Sequence, residues 1–272
     1  GVFTRTCNFH MTCPRLLGEH SVLVNVGALR TSRSTYFCRV TIAAFFDLDN
    51  TIVRGSSMLP FAWRLVRSGR VSTSEMFRFA SMNARFIRTR TESPSGRDYV
   101  MQRALALAAG QSVTEVLRLC DEIVPDIVRR RLNPVVAAEI RRHQREGHQT
   151  WLVTASPREL AERIARELGM TGAMGTQAER IAGVYSGELA GPILHGPHKA
   201  SAVSALAAVE GLDLARCAAF SDSINDLPLL VLVGHPTVVN ANRRLRQIAL
   251  RNGWQVLGNA GHIAARRAVA HA

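Results

Sequence analysis

The stretch Phe45-Phe46-Asp47-Leu48-Asp49-Asn50-Thr51-Ile52-Val53 constrains this chain more than any other. An apolar run, Ile42 to Phe46, leads straight into two carboxylates one residue apart, followed by a hydroxyl. Apolar residues that end abruptly in polar ones predict a buried strand whose carboxyl end opens on a site. In open α/β sheets that is where ligands bind. Asp47 and Asp49 are two positions apart, so on extended backbone both would face the same side. Carboxylates that close repel, and a proton or a cation must stabilise them. A divalent metal is the first expectation.

Two further strand ends repeat the pattern. Thr150-Trp151-Leu152-Val153 runs into Thr154-Ala155-Ser156-Pro157, which predicts a strand, a polar turn and a helix over Arg158–Leu168. Either the backbone N–H groups of that turn hold an anion, or Ser156 simply caps the helix. Ala215 to Phe220 predicts a strand that ends in Ser221-Asp222-Ser223-Ile224-Asn225-Asp226, with a helix able to start at Asp226-Leu227-Pro228. Pro236–Val239 and Trp254–Leu257 read as last strands, with a helix over 242–251 between them, and 173–191 as a hairpin or edge strands.

Between the first two polar clusters, residues 53–146 carry helical periodicity and few strand signals. Helices are expected from Pro60 to Gly69, Met76–Ile87 (with a capping box from Ser72 and Glu75), Asp98–Ala109, Val113–Val124, a short one from Pro125 to Arg131, and Val135–Gln144 opened by Asn133-Pro134. Glu92 to Gly96 reads as a loop.

Charge narrows the partners. The chain carries a net +13, concentrated in the first 46 residues and in 53–146, and a basic balance suits anionic ligands. Sixteen aromatics, none interleaved with a basic run, argue against a nucleic-acid surface. No run of about eighteen apolar residues occurs, so no membrane-spanning helix is expected. Residues 1–40 hold five arginines, one acid and many hydroxyls; they have some likeness to a transit peptide, but are expected to be a disordered leader or to lie upstream of the true start. Five cysteines, with no Cys-x-x-Cys pair, point away from a zinc site and toward a reducing, cytoplasmic setting.

One count stands out: 33 arginines against a single lysine, Lys199. Arginine and lysine differ in shape, hydration and donor geometry, so a position needing a compact ammonium resists exchange.

The ordered set Asp47/Asp49/Thr51, Thr154, Lys199 and Asp222/Asn225/Asp226 resembles the four motifs of the haloacid-dehalogenase-like phosphohydrolase superfamily, from residue 42 to about 257. The helical insertion after the first motif resembles the phosphoserine-phosphatase-like branch. The resemblance implies an α/β fold, a Rossmann-like parallel sheet core (41–53 and 146–257) with an inserted all-helical cap (54–145), a leader (1–40) and a tail (258–272). It implies a Mg²⁺-dependent phosphatase acting on a small-molecule phosphate monoester through an aspartyl-phosphate. Asp47 would be the nucleophile and Asp49 the acid and base, oriented by Thr51. Asp47, the Asp49 carbonyl and Asp222 would bind the metal, with Asp226 positioning a metal-bound water or Lys199. Thr154, Ala155 and Asn225 would hold phosphate, and Lys199 would neutralise it. Arg54 is a candidate substrate contact. Ser56 stands where phosphoserine phosphatases carry an acid, and Thr154-Ala155-Ser156 replaces Ser-Gly-Gly, so phosphoserine is not the expected substrate. A phosphotransferase or mutase, phosphoserine phosphatase itself, and a non-catalytic anion-binding protein are the alternatives. Oligomeric state is left open.

Overall fold

The computed structural model describes residues 41–67, Leu105 and 108–258. The expected leader, the capping box at Ser72, the helix over 76–87, the loop at 92–96, most of the helix over 98–109 and nearly all of the tail lie outside the described residues.

In chain order the described elements are β1 (Ala43–Phe46), α1 (Met58–Arg67), α2 (Val113–Arg131), α3 (Pro134–Arg145), β2 (Gln149–Pro157), α4 (Arg158–Glu167), β3 (Gly172–Thr176), β4 (Ala178–Ile181), β5 (Val184–Leu189), α5 (Pro197–Glu210), β6 (Ala218–Ser221), α6 (Leu227–Leu232), β7 (His235–Val239), α7 (Arg243–Arg251) and β8 (Gln255–Leu257). Six strands form one sheet in the order β3-β2-β1-β6-β7-β8. Every pairing in it is parallel. Chain order therefore reverses direction between β1 and β6, the switch point where doubly wound sheets leave a crevice for ligands. The expected hairpin is β4 with β5, antiparallel and separate from the main sheet.

Strand alternation builds two apolar layers. Ala44 and Phe46 of β1 pack with α2, α3 and α4 residues such as Ile127, Ile140 and Ile164. Ala43 and Phe45 face the other way, toward Val203, Leu229 and Leu245 of α5, α6 and α7. Both faces are covered, which is why β1 and β6 are buried throughout. Phe46 stacks on Phe220 of β6 with ring centroids 4.5 Å apart, so the two strands that carry the carboxylates are locked together just beneath them.

Three local expectations are corrected. Residues 113–131 form one continuous helix rather than two. Pro125 is exposed, so the backbone bond it cannot make is left on the solvent side, while Leu119, Cys120, Ile123, Val124 and Ile127 hold both halves against the core. The strand after α3 does not stop at Val153; it runs to Pro157, because β3 continues to pair with it, after a register shift, at Pro157 and Thr176. Strand β6 starts at Ala218, since 214–216 form a 3-10 turn capped by Asp213. Helix α3, although inside the segment expected as cap, packs on β1 and β2. No helix among the described residues is long and apolar enough to cross a membrane.

Candidate active site

Asp47 follows β1 directly and extends its ladder, donating its N–H to Phe220 O at 2.9 Å. The chain then turns sharply: the N–H groups of Thr51 and Val53 both go to Leu48 O. Asn50 takes the left-handed conformation (φ 57°) that asparagine tolerates. Gly55 (φ 77°) closes the turn, its N–H bonded to Asn50 Oδ1 at 3.1 Å. The two carboxylates are thereby presented at the switch point.

Lys199, in the first turn of α5, meets them from the other side. The residue is 2% exposed. Its Nζ donates to Asp47 Oδ1 at 2.5 Å and to Asp226 Oδ2 at 2.7 Å. Asp226 Oδ2 also accepts from Ser221 Oγ at 2.7 Å. Burial alone would push the ammonium down, but Asp226 and Asp47 together outweigh it and hold Lys199 above the ordinary lysine value. Burial pushes Asp47 up to about 6; Lys199 opposes this, and the charges of Asp226 and Asp49 add to it. Asp222 is raised well above the usual carboxylate range by burial and then by Asp47 and Asp226. Asp49 is raised by burial too, while its bond from Ser57 and the charges of Lys199 and Arg131 act against that.

Asp47, Asp49, Lys199, Asp222 and Asp226 are thus brought together, and two other expectations differ. Thr51 does not orient Asp49. Its Oγ1 is fully buried and has no partner among the described residues. The Ser57 N–H does that work, at 2.8 Å from Asp49 Oδ1. Arg54 is exposed and enters the network through its backbone, donating its N–H to Arg131 O at 2.8 Å. The arginine whose charge acts on Asp49 is Arg131.

Thr154 is buried within β2, its Oγ1 accepting from the Ser156 N–H at 3.1 Å. The Ala155 carbonyl accepts from Thr176 Oγ1 at 2.7 Å. Ser156 does not cap α4, whose N-cap position is Pro157; its Oγ pairs instead with Ser57 Oγ at 3.1 Å. Gly175 lies so close that a Cβ there would sit 2.8 Å from Ser156 O, which lets β3 approach this strand end. Asn225 Nδ2 is held by Ser223 Oγ at 3.2 Å. Reasoning on sequence missed Ser57, Ser221 and Arg131; adjacency to Asp222 was the available signal for Ser221, and none marked the other two.

Four carboxylates face one lysine and one nearby arginine, and Asp226 Oδ1 is buried without a partner among the described residues. That surplus of hard oxygen donors and negative charge fits a divalent cation of the Mg²⁺ type. A second group, His143, Glu146 and His148, brings potential ligand atoms within 4.8 Å of one another. Arg142 argues against a metal there. It donates to His143 Nε2 at 3.0 Å and to both Glu146 oxygens. The neutral His143 ring must then carry its proton on Nδ1, where it donates to His148 Nδ1 at 2.9 Å. This chain of hydrogen bonds ties the end of α3 to the start of β2.

Residues 44–231 match the haloacid dehalogenase-like hydrolase family. Phosphoserine phosphatase SerB1 of Mycobacterium tuberculosis is 42% identical over 217 residues, covering 80% of this chain and 70% of that protein. A solved structure of a protein of unknown function from Bordetella pertussis aligns with a TM-score of 0.69 at 30% identity, over 80% of this chain and 99% of that one. A substrate-bound phosphoserine phosphatase structure, at 14% identity and a TM-score of 0.57 over 80% of this chain and 92% of that one, shares the fold.

Proposed function

We propose that this chain, which belongs to the haloacid dehalogenase-like hydrolase family, is a Mg²⁺-dependent phosphatase working through an aspartyl-phosphate on Asp47. The observation that carries the reading is the buried ammonium of Lys199 shared between Asp47 and Asp226. A lysine so placed neutralises a carboxylate that must approach an anionic phosphate.

Lys199 takes one oxygen of Asp47, and the other attacks phosphorus. The bond from phosphorus to the alcohol oxygen breaks, and Asp49 gives that oxygen its proton. Water then attacks the phosphorus of the aspartyl-phosphate, Asp49 takes the water proton, and the bond to Asp47 breaks to release inorganic phosphate. Thr154, Ala155 and Asn225 are assigned to the phosphate oxygens. Asp47, the Asp49 carbonyl and Asp222 would hold Mg²⁺, with Asp226 behind them. The cation supplies charge neutralisation between nucleophile and phosphate. Its removal with EDTA and return with Mg²⁺ tests that part.

For the substrate we propose a small phosphate monoester other than phosphoserine, its alcohol part read by the basic segment that precedes Asn133. The absence of an acid at Ser56 supports this, since a substrate ammonium would lack its partner there. The second reading, phosphoserine, is favoured by the name of the mycobacterial relative. A screen of phosphorylated metabolites that includes phosphoserine separates the two, and measuring inorganic phosphate against transfer to added alcohols separates hydrolase from phosphotransferase. A reducing, cytoplasmic location accords with Cys120 and Cys217, both buried free thiols.

A further inference from the structure

Ser56 and Ser57 share one peptide unit, and both of its polar ends are occupied. The Ser57 N–H donates to Asp49 Oδ1 at 2.8 Å. The Ser56 carbonyl, on the other edge of the same plane, accepts from Arg131 Nη1 at 3.2 Å. Arg131 is the last residue of α2, 75 residues away in sequence, and it is brought here by a stitched junction. Its own carbonyl accepts from the Arg54 N–H. Leu132 pairs with Val53 in an antiparallel bridge. Asn133 donates its N–H to Ile52 O at 2.8 Å and its Nδ2 to Thr51 O at 3.2 Å. The α2–α3 junction therefore follows the catalytic turn residue by residue, with Gly55 in the left-handed conformation (φ 77°) beside the Arg131 guanidinium.

We infer that Arg131 is a positioning residue for the acid and base of the reaction, acting on Asp49 through the Ser56–Ser57 peptide. A guanidinium bonded to a carbonyl is charge-assisted and polarises that peptide, which strengthens donation from its N–H. It also fixes the plane so that the N–H keeps pointing at Asp49. Arg131 touches neither phosphate nor leaving group in this role; it sets the orientation of the carboxyl group that must meet the leaving oxygen. Misplacing such a group by about 1 Å can cost about 10²-fold in rate.

The inference rests on Asp49 being the general acid proposed above, and leaving-group dependence tests the two separately. An activated aryl phosphate, p-nitrophenyl phosphate, departs with little help from an acid, whereas phenyl phosphate needs one. Asp49→Asn should lower kcat/KM, which reports the step that expels the alcohol and not the hydrolysis that follows, on phenyl phosphate by about 10²-fold or more beyond its effect on p-nitrophenyl phosphate. Arg131→Met should show the same split in kcat/KM at about 10-fold, with inhibition by inorganic phosphate unchanged, and Arg131→Lys, which keeps a cationic donor, should recover part of it. A cooperative thermal transition like that of the parent protein reports that each variant is folded; should Arg131→Met fail to fold, Arg131→Lys against Arg131→Gln gives the same comparison. A split in Asp49→Asn with equal losses on both substrates in the Arg131 variants would overturn the role of Arg131 alone. Weakened competitive inhibition by inorganic phosphate in the Arg131 variants would also overturn it, since that outcome places Arg131 on the substrate. No split in Asp49→Asn would overturn the acid assignment itself.

Discussion

The Nζ of Lys199 donates to Oδ1 of Asp47 across 2.5 Å, with the lysine 2% exposed. A charge this deeply buried is stabilised only by its partners, and those partners are stabilised by it. Lys199→Met leaves Asp47 and Asp226 as uncompensated buried carboxylates. It should cost about 3–5 kcal/mol of stability and abolish phosphate release. Lys199→Arg keeps the charge but replaces a compact ammonium with a planar fork that must fit between two acids. Its turnover should fall at least about 10²-fold, with a smaller loss in denaturant midpoint than in Lys199→Met. Undiminished turnover in Lys199→Arg would mean that the single lysine of the chain has no special role.

Ser57 joins the catalytic turn to the end of β2 through its hydroxyl and holds Asp49 through its N–H. Ser57→Ala removes only the first. Thermal or urea unfolding should show a loss of about 1 kcal/mol, with Asp49 still held and turnover within a few-fold of the parent protein.

How much of this was open to inspection in the sequence depended on whether a residue acts through its side-chain type or through its backbone and place. Asp47, Asp49, Asp222 and Asp226 stand at the ends of apolar runs, and the roles proposed for them need carboxylates, so pattern alone singled them out. Lys199 was conspicuous because every other basic side chain apart from histidine is arginine. Ser57 acts through an N–H that any residue but proline would supply, and Arg131 is one of 33 arginines whose importance comes only from the junction that folds it onto Ser56. Thr51 shows the converse: the motif placed it as a partner of Asp49, but its buried hydroxyl makes no hydrogen bond to it. In the fold, alternation of strands and helices was visible, whereas the continuity of α2 across Pro125 and of β2 across Thr154–Pro157 depends on neighbours, the core beneath one and β3 beside the other.

Removing the metal should have a pH-dependent effect on stability. The folded Asp47 carboxyl is pushed up to about 6 from its ordinary value of 3.8, chiefly by burial. A raised carboxyl stabilises the fold fully below the unfolded value and loses that contribution as pH rises through the folded one. The metal-free protein therefore pays for ionised Asp47 near neutrality, and a cation relieves it. Added Mg²⁺ should raise Tm more at pH 7.5 than at pH 5. An equal rise at both would contradict the assignment of this cluster as the metal site.

His143 gives a transition of opposite sign. It is buried edge-on to Phe46 and Phe220, and burial, followed by the charges of Arg142 and His148, pushes it from 6.5 down to about 4. Below pH 6.5 the unfolded chain takes up a proton that the folded protein refuses, so the contribution present above 6.5 is lost as pH falls toward 4. Observing the His143 ring by NMR should show it neutral at pH 5.5, with the proton on Nδ1. His143→Gln should flatten the dependence of Tm on pH in this window.

The most direct test of the account is to catch the covalent intermediate. Protein quenched in acid during turnover and treated with borohydride should carry homoserine at position 47, from reduction of the aspartyl-phosphate, and Asp47→Asn should give neither the adduct nor phosphate release. Full phosphate release by Asp47→Asn, or trapping at a residue other than 47, would contradict it.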